Sequence, residues 1–567
     1  MPRYDLHYAV ITGDLKRVKD LIAAGHPVDN LDGEGWTPLM YAVTRATASV
    51  DIVRFLSHSG ANLNKALVVA LFHGDPRKVA VLISAGGNIT YKRDNDFDAL
   101  IDAVSGRELR NDPRLMSLLS LLVSSRVDMN GVSSTGETAL KRLTWVGRFD
   151  AVKYLVSCGS DPSSLGLTDL MEAVVFGTSD DVQVALSQDC DMEARSSDEL
   201  TPWLLACLVG DLEKTKLLQS RGADTNATGY NGQTALILAV ESGQAELVKW
   251  LLDSGSDVEQ ADDFGNTPLV YASQRSALAC VDALLAAGAD ISPCGTLFSP
   301  IEEVENRDVG IKLLQAGAAL PELENGSSRV VLGLRKDPDI TELYGITLEE
   351  YQSDRARRFG VYNPELIVAP FWEAMIRAGV NSYNAGIHFD DPPTYSPNFT
   401  PVWCADRFGQ SFTMLPDGRI VQVAGEHEDG TDPDFCIFND VFVHEPDGSI
   451  KIYGYPEDVF PPTDFHTATL IVNEIYLIGA LGYFGCRQYG VTPVYKLDTV
   501  TFRLEKLETH GDNPGWIYDH QAMVADDGEI RVSGGKICDE GPSGERQYAN
   551  TSEFVFNTAA LRWRRLG

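Results

Sequence analysis

The fold of this 567-residue chain is decided by a stretch in which one triplet returns every 33 residues: Gly222-Ala223-Asp224, Gly255-Ser256-Asp257 and Gly288-Ala289-Asp290. A fixed period of 20–50 residues predicts a stacked array of repeated units. In such an array each unit buries its apolar face against its neighbours. We therefore expect an elongated solenoid rather than a single globular core in this part of the chain.

The residue types between the triplets explain how each unit folds. Two matching openings occur, Asn231-Gly232-Gln233-Thr234-Ala235-Leu236 and Gly265-Asn266-Thr267-Pro268-Leu269. Thr and Pro are typical of a helix start, as N-cap and first-turn residues. Gly222, Gly255 and Gly288 are expected to end a second helix in a left-handed conformation. These features resemble the ankyrin repeat, and the resemblance extends over 1–325 with about ten repeats.

The resemblance implies a helical solenoid with a concave groove that binds a protein partner, but it does not identify that partner. We expect the contacts to come from hairpin tips and from the inner helices. The candidate residues at the tips are Glu34, Trp36, Tyr230, Asn231, Asp263 and Phe264, and those on the inner helices are Tyr41, Leu205, Leu238 and Tyr271. The alternative is that these rings only pack against the next repeat.

Composition narrows the class of partner. Acidic residues outnumber basic ones by 81 to 47, so the net charge is −34. This charge argues against nucleic acid or an anionic membrane as partner. It is compatible with a basic protein, for instance a toxin that the chain neutralises, or with a role as an adaptor.

Cysteine usage and hydropathy predict a cytoplasmic protein. The nine cysteines are dispersed and none has Cys-x-x-Cys spacing, which favours reduced thiols over a disulfide framework. The N-terminus shows no basic-then-apolar leader, and no stretch of about 18 apolar residues predicts a membrane span.

The second region, 326–400, is predicted to be a helical and extended connector. Thr347 and Glu350 form a candidate capping box for a short helix to about residue 359. Asn363-Pro364 resembles a second helix start, with Pro370 ending that helix early. Beyond it, apolar residues at helical spacing are expected to be buried: Phe371, Trp372, Met375 and Ile376.

The third region, 401–567, carries another internal repeat with a period near 54 residues. Gly425, Gly479 and Gly534 each end an alternating apolar segment, and His466 and His520 lie 54 residues apart. Alternation with period two predicts strands. Four short strands per unit, with His near the first and Trp in the last, resemble the kelch blade and imply a partial or short β-propeller.

Three blades are fewer than propellers have, so the ring needs another element to close it. Three ways of closing the ring are open. The connector supplies an extra blade; the connector helices or the solenoid fill the gap; or two chains form a homodimer with a six-bladed ring. We favour the first two, since the connector is apolar enough to cover a strand edge. The layout as a whole is multidomain α + β and resembles bacterial ankyrin proteins of uncharacterised activity.

The best candidate for chemistry is an acidic loop in the third region. His427, Glu428 and Asp429, with His466 and His520, could form a carboxylate–imidazole site for a divalent metal. The alternative is a solvated loop with structural histidines. Motifs of nucleophile elbows, phosphate-binding loops and zinc proteases are absent from the sequence. We therefore predict a non-enzymatic binding protein without cofactors, with a metal-dependent enzyme and a homodimeric scaffold as alternatives.

Overall fold

The structure is a computed structural model that describes residues 5–45, 47–93, 95–106, 112–292, 298–320, 326–391, 402–427, 435–525, 528–541 and 544–566. The chain divides into two compact units, Met1–Pro300 and Ile301–Gly567.

The first unit is built from consecutive pairs of short helices. Their bounds are α1 Asp5–Ile11, α2 Leu15–Ala23, α3 Pro38–Thr44, α4 Val50–His58, α5 Leu63–His73, α6 Pro76–Ser84, α7 Ala99–Ala103, α8 Leu115–Ser124, α9 Ala139–Trp145, α10 Phe149–Ser157, α11 Asp169–Phe176, α12 Ser179–Leu186, α13 Pro202–Val209, α14 Leu212–Ser220, α15 Ala235–Ser242, α16 Ala245–Asp253, α17 Pro268–Gln274 and α18 Leu278–Ala286. Short 3₁₀ turns lie at Pro162–Leu165 and Tyr230–Gly232.

The ends of these helices confirm most of the predicted signals, although Thr267, which lies at the N-cap of α17, makes no capping hydrogen bond with its side chain. Thr201 and Thr234 are N-caps whose hydroxyls accept the backbone N–H three residues later. Gly222, Gly255 and Gly288 have φ values of 90°, 94° and 88°, which is the left-handed region that favours glycine. In these units the period is therefore encoded by local backbone chemistry.

The helix pairs stack along the chain. The first helices contact one another in the order α1, α3, α5, α7, α9 and again in the order α11, α13, α15, α17. One continuous cluster of buried apolar side chains runs from Leu6 to Leu165. Each pair thus covers the apolar face of the next, as expected for a solenoid.

The second unit begins with helices and 3₁₀ turns. The helices are α19 Arg307–Gln315, α20 Gly326–Val331, α21 Leu348–Asp354, α22 Pro370–Ala378 and α23 Ser382–His388, and the 3₁₀ turns are Pro300–Glu303, which starts at the unit boundary, Ile340–Gly345 and Phe484–Cys486. The predicted tenth repeat, 296–325, contains the first of these turns and α19, and parts of it lie outside the described residues.

The connector departs from the prediction at its centre. The capping box is confirmed, because Thr347 and Glu350 each accept the other's backbone N–H. The helix it opens ends at Asp354 and not near residue 359. The predicted helix start at Asn363-Pro364 is wrong, because strand β1, Glu365–Ile367, follows it, and Pro370 begins α22 instead of ending a helix. Proline suits that first position because it has no N–H to leave unpaired.

The strands fill the remainder of the second unit. Their bounds are β1 Glu365–Ile367, β2 Ser411–Met414, β3 Ile420–Val423, β4 Glu426–His427, β5 Cys436–Ile437, β6 Val441–His444, β7 Ile450–Gly454, β8 Thr467–Ile471, β9 Glu474–Ile478, β10 Val494–Asp498, β11 Leu504–Lys506, β12 His510–Gly511, β13 Trp516–Tyr518, β14 Gln521–Val524, β15 Ile530–Ser533, β16 Lys536–Gly541, β17 Gly544–Ala549, β18 Glu553–Asn557 and β19 Arg562–Leu566.

Three antiparallel four-stranded meanders form the main sheets: β2-β3-β6-β7, β8-β9-β10-β11 and β14-β15-β18-β19. The connector strand β1 pairs with β7 and covers the edge of the first meander. Strand β12 adds to β19 in parallel, and smaller sheets are β13-β16-β17 and β4-β5. Among the described strands, no closed ring of sheets forms.

The middle meander is buried on both faces. Alternate residues of β9 belong to different cores: Ile475 and Leu477 pack toward the first meander, while Tyr476 and Ile478 pack toward the third. The first meander uses its other face to bury Phe442 against Trp372 and its helix α22. Period-two alternation therefore places three sheets in series, with connector helices at one end.

Candidate partner-binding surface

Two hairpin tips of the first unit, those at Trp36 and Phe264, are each shaped by a buried aspartate. Oδ1 of Asp262 accepts the backbone N–H groups of Phe264 and Asn266 at 3.0 and 2.8 Å. Oδ1 of Asp32 accepts those of Glu34 and Trp36 at 3.0 and 2.8 Å. An aspartate that bonds the backbone ahead of it fixes a tight turn. The tips are therefore held in defined conformations.

The predicted inner-helix tyrosines bind these same aspartates. The Tyr41 hydroxyl donates to Oδ2 of Asp32 at 2.6 Å, and the Tyr271 hydroxyl donates to Oδ2 of Asp262 at 2.8 Å. Burial, with the bond to Asp262, raises the pKa of Tyr271 to about 12. Both rings thus tie a tip to the helix behind it.

The predicted leucines on the inner helices lie in the stack itself. Leu205 and Leu238 are only 1% and 2% exposed, and they belong to α13 and α15. In this structure they have little surface to present to a partner.

Trp36, at the first complete tip, is partly buried. Its ring lies 5.3 Å from that of Tyr41, and its backbone carbonyl contacts Nε2 of His7 at 3.1 Å. Burial lowers the pKa of His7. Part of Trp36 therefore serves packing between the first two repeats, and the remainder is accessible.

Two neighbouring tips expose aromatic side chains. Tyr230 is 55% exposed and Phe264 is 54% exposed. The two tips touch, since the backbone N–H of Asp263 donates to the carbonyl of Asn231 at 2.9 Å. A Cβ at Gly232 would lie 2.4 Å from Oδ1 of Asp263, so the glycine permits this close approach. Asp263 is exposed and Asn231 is half-buried.

A separate tip, at the start of the array, also carries an exposed carboxylate. Glu34 is exposed, and like Asp263 it lies next to residues whose backbone is held by a buried aspartate. The two touching tips therefore present two aromatic rings and the carboxylate of Asp263, and the first tip separately presents the carboxylate of Glu34. Such a surface can bury apolar area and attract positive charge.

The candidate metal residues of the second unit occupy separate places. Nε2 of His427 lies 2.9 Å from Oγ of Ser382, and its Nδ1 lies 3.4 Å from Sγ of Cys404. Glu428 and Asp429 lie outside the described residues. Within the described part of the chain, no group of three or more His, Cys, Asp or Glu side chains is placed to hold a metal ion.

His466 and His520 join successive meanders. Nε2 of His466 contacts Oγ of Ser411 at 2.7 Å, and Nε2 of His520 contacts Oγ1 of Thr467 at 2.9 Å. Burial lowers the pKa of His466 to about 3 and that of His520 to about 4. The 54-residue spacing therefore repeats one contact between a histidine and a hydroxyl on the preceding meander's first strand.

The helices that the structure describes include none with the length and apolarity needed to cross a membrane.

Comparison with known proteins bears on the first unit. The family model described as ankyrin repeats (3 copies) matches residues 6–93, 170–262 and 203–293. These segments contain the tips around Glu34, Tyr230 and Phe264. The N-terminal part of the chain therefore contains ankyrin repeats.

Curated relatives match over short segments. The mouse (Mus musculus) ankyrin repeat, SAM and basic leucine zipper domain-containing protein 1 is 46% identical over 77 residues, or 14% of each chain. Its counterpart from Dasypus novemcinctus is 28% identical over 153 residues, covering 27% of this chain and 26% of that protein. The rat (Rattus norvegicus) ankyrin repeat and SAM domain-containing protein 6 is 33% identical over 138 residues, covering 23% and 15%. The chain thus spans about a quarter or less of these relatives.

Proposed function

We propose that this chain is a non-enzymatic binding protein that holds a protein partner at the hairpin tips around Tyr230 and Phe264. Ankyrin repeats suggest a protein–protein interaction module. The observation that carries the proposal is the pair of aromatic rings, each more than half exposed, on two touching tips. Large rings on a rigid backbone bury much area at little entropic cost when a partner covers them.

The partner we propose is basic. The chain carries a net charge of −34, and Glu34 and Asp263 place carboxylates at the tips. Opposite charge at the rim of an interface mainly accelerates association and sets specificity. A neutralised basic toxin or a basic protein recruited by an adaptor has the required chemistry.

We further propose that the second unit is a short kelch-like array and that the protein works in the cytoplasm. The three four-stranded meanders and the repeated histidine–hydroxyl contact support the first part. The eight described cysteines are all free thiols, which supports a reducing compartment.

The experiment that tests the tips is affinity capture with the full chain as bait, read by mass spectrometry. Wild type and the double variant Y230A/F264A are compared with W145A. Trp145 is a matched control, because it is 58% exposed but lies at the end of α9 away from its hairpin. We expect one stoichiometric partner on wild type and W145A, and its loss from Y230A/F264A with unchanged far-ultraviolet circular dichroism.

Capture that survives the double substitution would place recognition elsewhere. The charge proposal is tested separately on the purified partner, by measuring the association rate between about 0.05 and about 0.5 M NaCl. A basic partner should associate more slowly as salt screens the carboxylates. An association rate that does not depend on salt would contradict a basic partner, but it would leave the proposed role of Tyr230 and Phe264 unaffected.

A further inference from the structure

The second unit contains a partly enclosed cavity of about 250 Å³. Its wall is mostly apolar and includes Leu332, Met375 and Ile376, and it also includes the charged side chains of Arg329 and Asp406. Small-molecule sites have this character, with apolar walls and a few placed polar groups. Pockets for drug-sized ligands typically measure about 300–1,000 Å³, so this cavity suits a smaller molecule.

Arg329 is an unusual residue to find in such a wall. It is only 5% exposed, and its burial lowers its pKa. Nε donates to the carbonyl of Arg335 at 2.9 Å, and Nη2 donates to the carbonyl of Arg377 at 2.7 Å. Among the described residues, no carboxylate forms an ion pair with it, and Nη1 has no acceptor. Acidic groups, Asp406 foremost, favour its charged form only from beyond ion-pair distance, so this arrangement leaves Nη1 able to bind an anionic ligand.

Gly379 brings Nη1 to the wall of the cavity. A Cβ at residue 379 would lie 1.8 Å from Nη1 of Arg329, so any other side chain would displace the guanidinium. Gly379 also lines the cavity and has a φ of 60°. The third nitrogen of the guanidinium therefore lies beside a glycine at the cavity surface.

Asp406 supplies a second charge of opposite sign. Among the acidic groups that stabilise charged Arg329, Asp406 contributes most. Because both side chains line the same cavity, a ligand with an anionic and a cationic group would meet a counter-charge for each. The apolar wall would cover a third, apolar part of the same ligand.

We propose that this cavity binds an α-amino acid with an apolar side chain, whose carboxylate pairs with Nη1 of Arg329 and whose ammonium group pairs with Asp406. The side chain of the ligand lies against Leu332, Met375 and Ile376. This site is in the second unit and does not depend on the function proposed for the hairpin tips.

Titration calorimetry on the full chain tests the proposal with L-leucine, L-methionine and L-phenylalanine. We expect at least one to bind at a single site. The leucine analogue without an ammonium group, 4-methylpentanoate, should bind about tenfold more weakly or worse, because it cannot form the ion pair with Asp406. The proposal would be overturned if none of the three amino acids bound at about 10 mM, a concentration that detects millimolar affinity. Equal binding of the analogue would also overturn it.

Substitutions locate the site. R329Q should weaken binding by about tenfold or more, whereas R307Q should leave it unchanged. Arg307 is a matched control, because it also donates to two backbone carbonyls, those of Val331 and Gly418, but does not line the cavity. V380F fills the cavity and keeps Arg329, so it should abolish binding even where R329Q folds poorly. Undiminished binding in V380F would assign the ligand to another site.

Discussion

The hydroxyl of Tyr271 donates a 2.8 Å hydrogen bond to Oδ2 of Asp262, nine residues before it in the chain. Oδ1 of the same carboxylate holds the backbone of the tip at Phe264 and Asn266. One buried side chain therefore joins the tip that presents Phe264 to the helix behind it. Asp32 and Tyr41 repeat the arrangement at the start of the array.

We predict that Y271F lowers the free energy of unfolding of the first unit by about 1 kcal/mol, the usual contribution of one hydrogen bond. The measurement is urea unfolding followed by circular dichroism at 222 nm. Y230F is the control, because Tyr230 is exposed and its loss of a hydroxyl should change stability by no more than about 0.5 kcal/mol. Equal effects of the two substitutions would contradict the assigned role.

A buried lysine joins neighbouring repeats, and its removal should be more harmful. Nζ of Lys214 donates to the carbonyls of Val174 and Gly177 at 2.9 and 2.8 Å, at the end of the preceding repeat's first helix. Lys78 does the same with Ala42 and Arg45. We predict that K214M destabilises the first unit by about 1–3 kcal/mol, because two carbonyls lose a charged donor.

The control for this prediction is K216M in the same helix. Lys216 is 42% exposed and pairs with Glu213 at the surface, so its loss should change stability by about 0–1 kcal/mol. Thermal unfolding of both variants and wild type checks the difference. A melting temperature of K214M as high as that of K216M would show that the carbonyls do not need the lysine.

In the second unit, the ion pair of Arg407 and Asp440 is almost fully buried, with side chains 0% and 3% exposed. Asp440 also accepts the indole N–H of Trp403 at 3.0 Å. We predict that D440N destabilises this unit by about 3–5 kcal/mol, because it leaves Arg407 charged and unpaired in an apolar surrounding.

Chemical denaturation of the full chain, followed by tryptophan fluorescence, measures this effect. D539N is the control, because Asp539 pairs with Arg546 at the surface, where both side chains are at least one-third exposed. Its loss should change stability by about 0–1 kcal/mol. If D440N and D539N destabilised the protein equally, the buried ion pair would not contribute more to stability than the exposed one.

The buried histidines predict how stability of the second unit depends on pH. In the folded state the pKa values of His466 and His520 are about 3 and about 4, below the ordinary value near 6.5. Below pH 6.5 the unfolded chain therefore binds protons that the folded chain does not. The free energy of unfolding is therefore not reduced by these histidines above about pH 6.5. It falls as the pH decreases toward 4, by up to about 1.4 kcal/mol per pH unit for each histidine.

Urea unfolding at several pH values between 7.5 and 4.5 tests this dependence. H466Q and H520Q should each show a shallower loss of stability than wild type as pH falls. H510Q, at an exposed histidine of β12, should follow the wild-type curve. Parallel curves for all four proteins would rule out a contribution from the buried imidazoles.

The sequence made the solenoid predictable because the chemistry of each repeat is local. Thr234 caps a helix through a hydroxyl that reaches three residues ahead, and Gly255 ends one through its own φ. Tyr41 and Tyr271 were expected to contact a partner, and the structure shows that each binds an aspartate nine residues earlier in its own repeat. The alternation of apolar residues with a period of two in β9 predicted a strand, because successive side chains of a strand point to opposite faces.

Local signals failed where a distant partner decided the outcome. Asn363-Pro364 carries a helix-start pattern, yet the next residues form β1, because they complete the open edge of a sheet at β7, nearly ninety positions later. His466 and His520 were visible as a pair by their spacing, but their hydroxyl partners lie on the preceding meander. Pairing at a sheet edge satisfies backbone N–H and C=O groups of a distant strand, and no local sequence pattern reveals which strand that is.

The sequence by itself determined the repeated units, their caps and the strands, since those depend on residues a few positions apart. Only the tertiary structure decided which aromatic rings remain exposed and that Arg329, Gly379 and Asp406 share one cavity. Exposure and cavities result from how separate segments pack, and that packing depends on side chains that are distant in the chain.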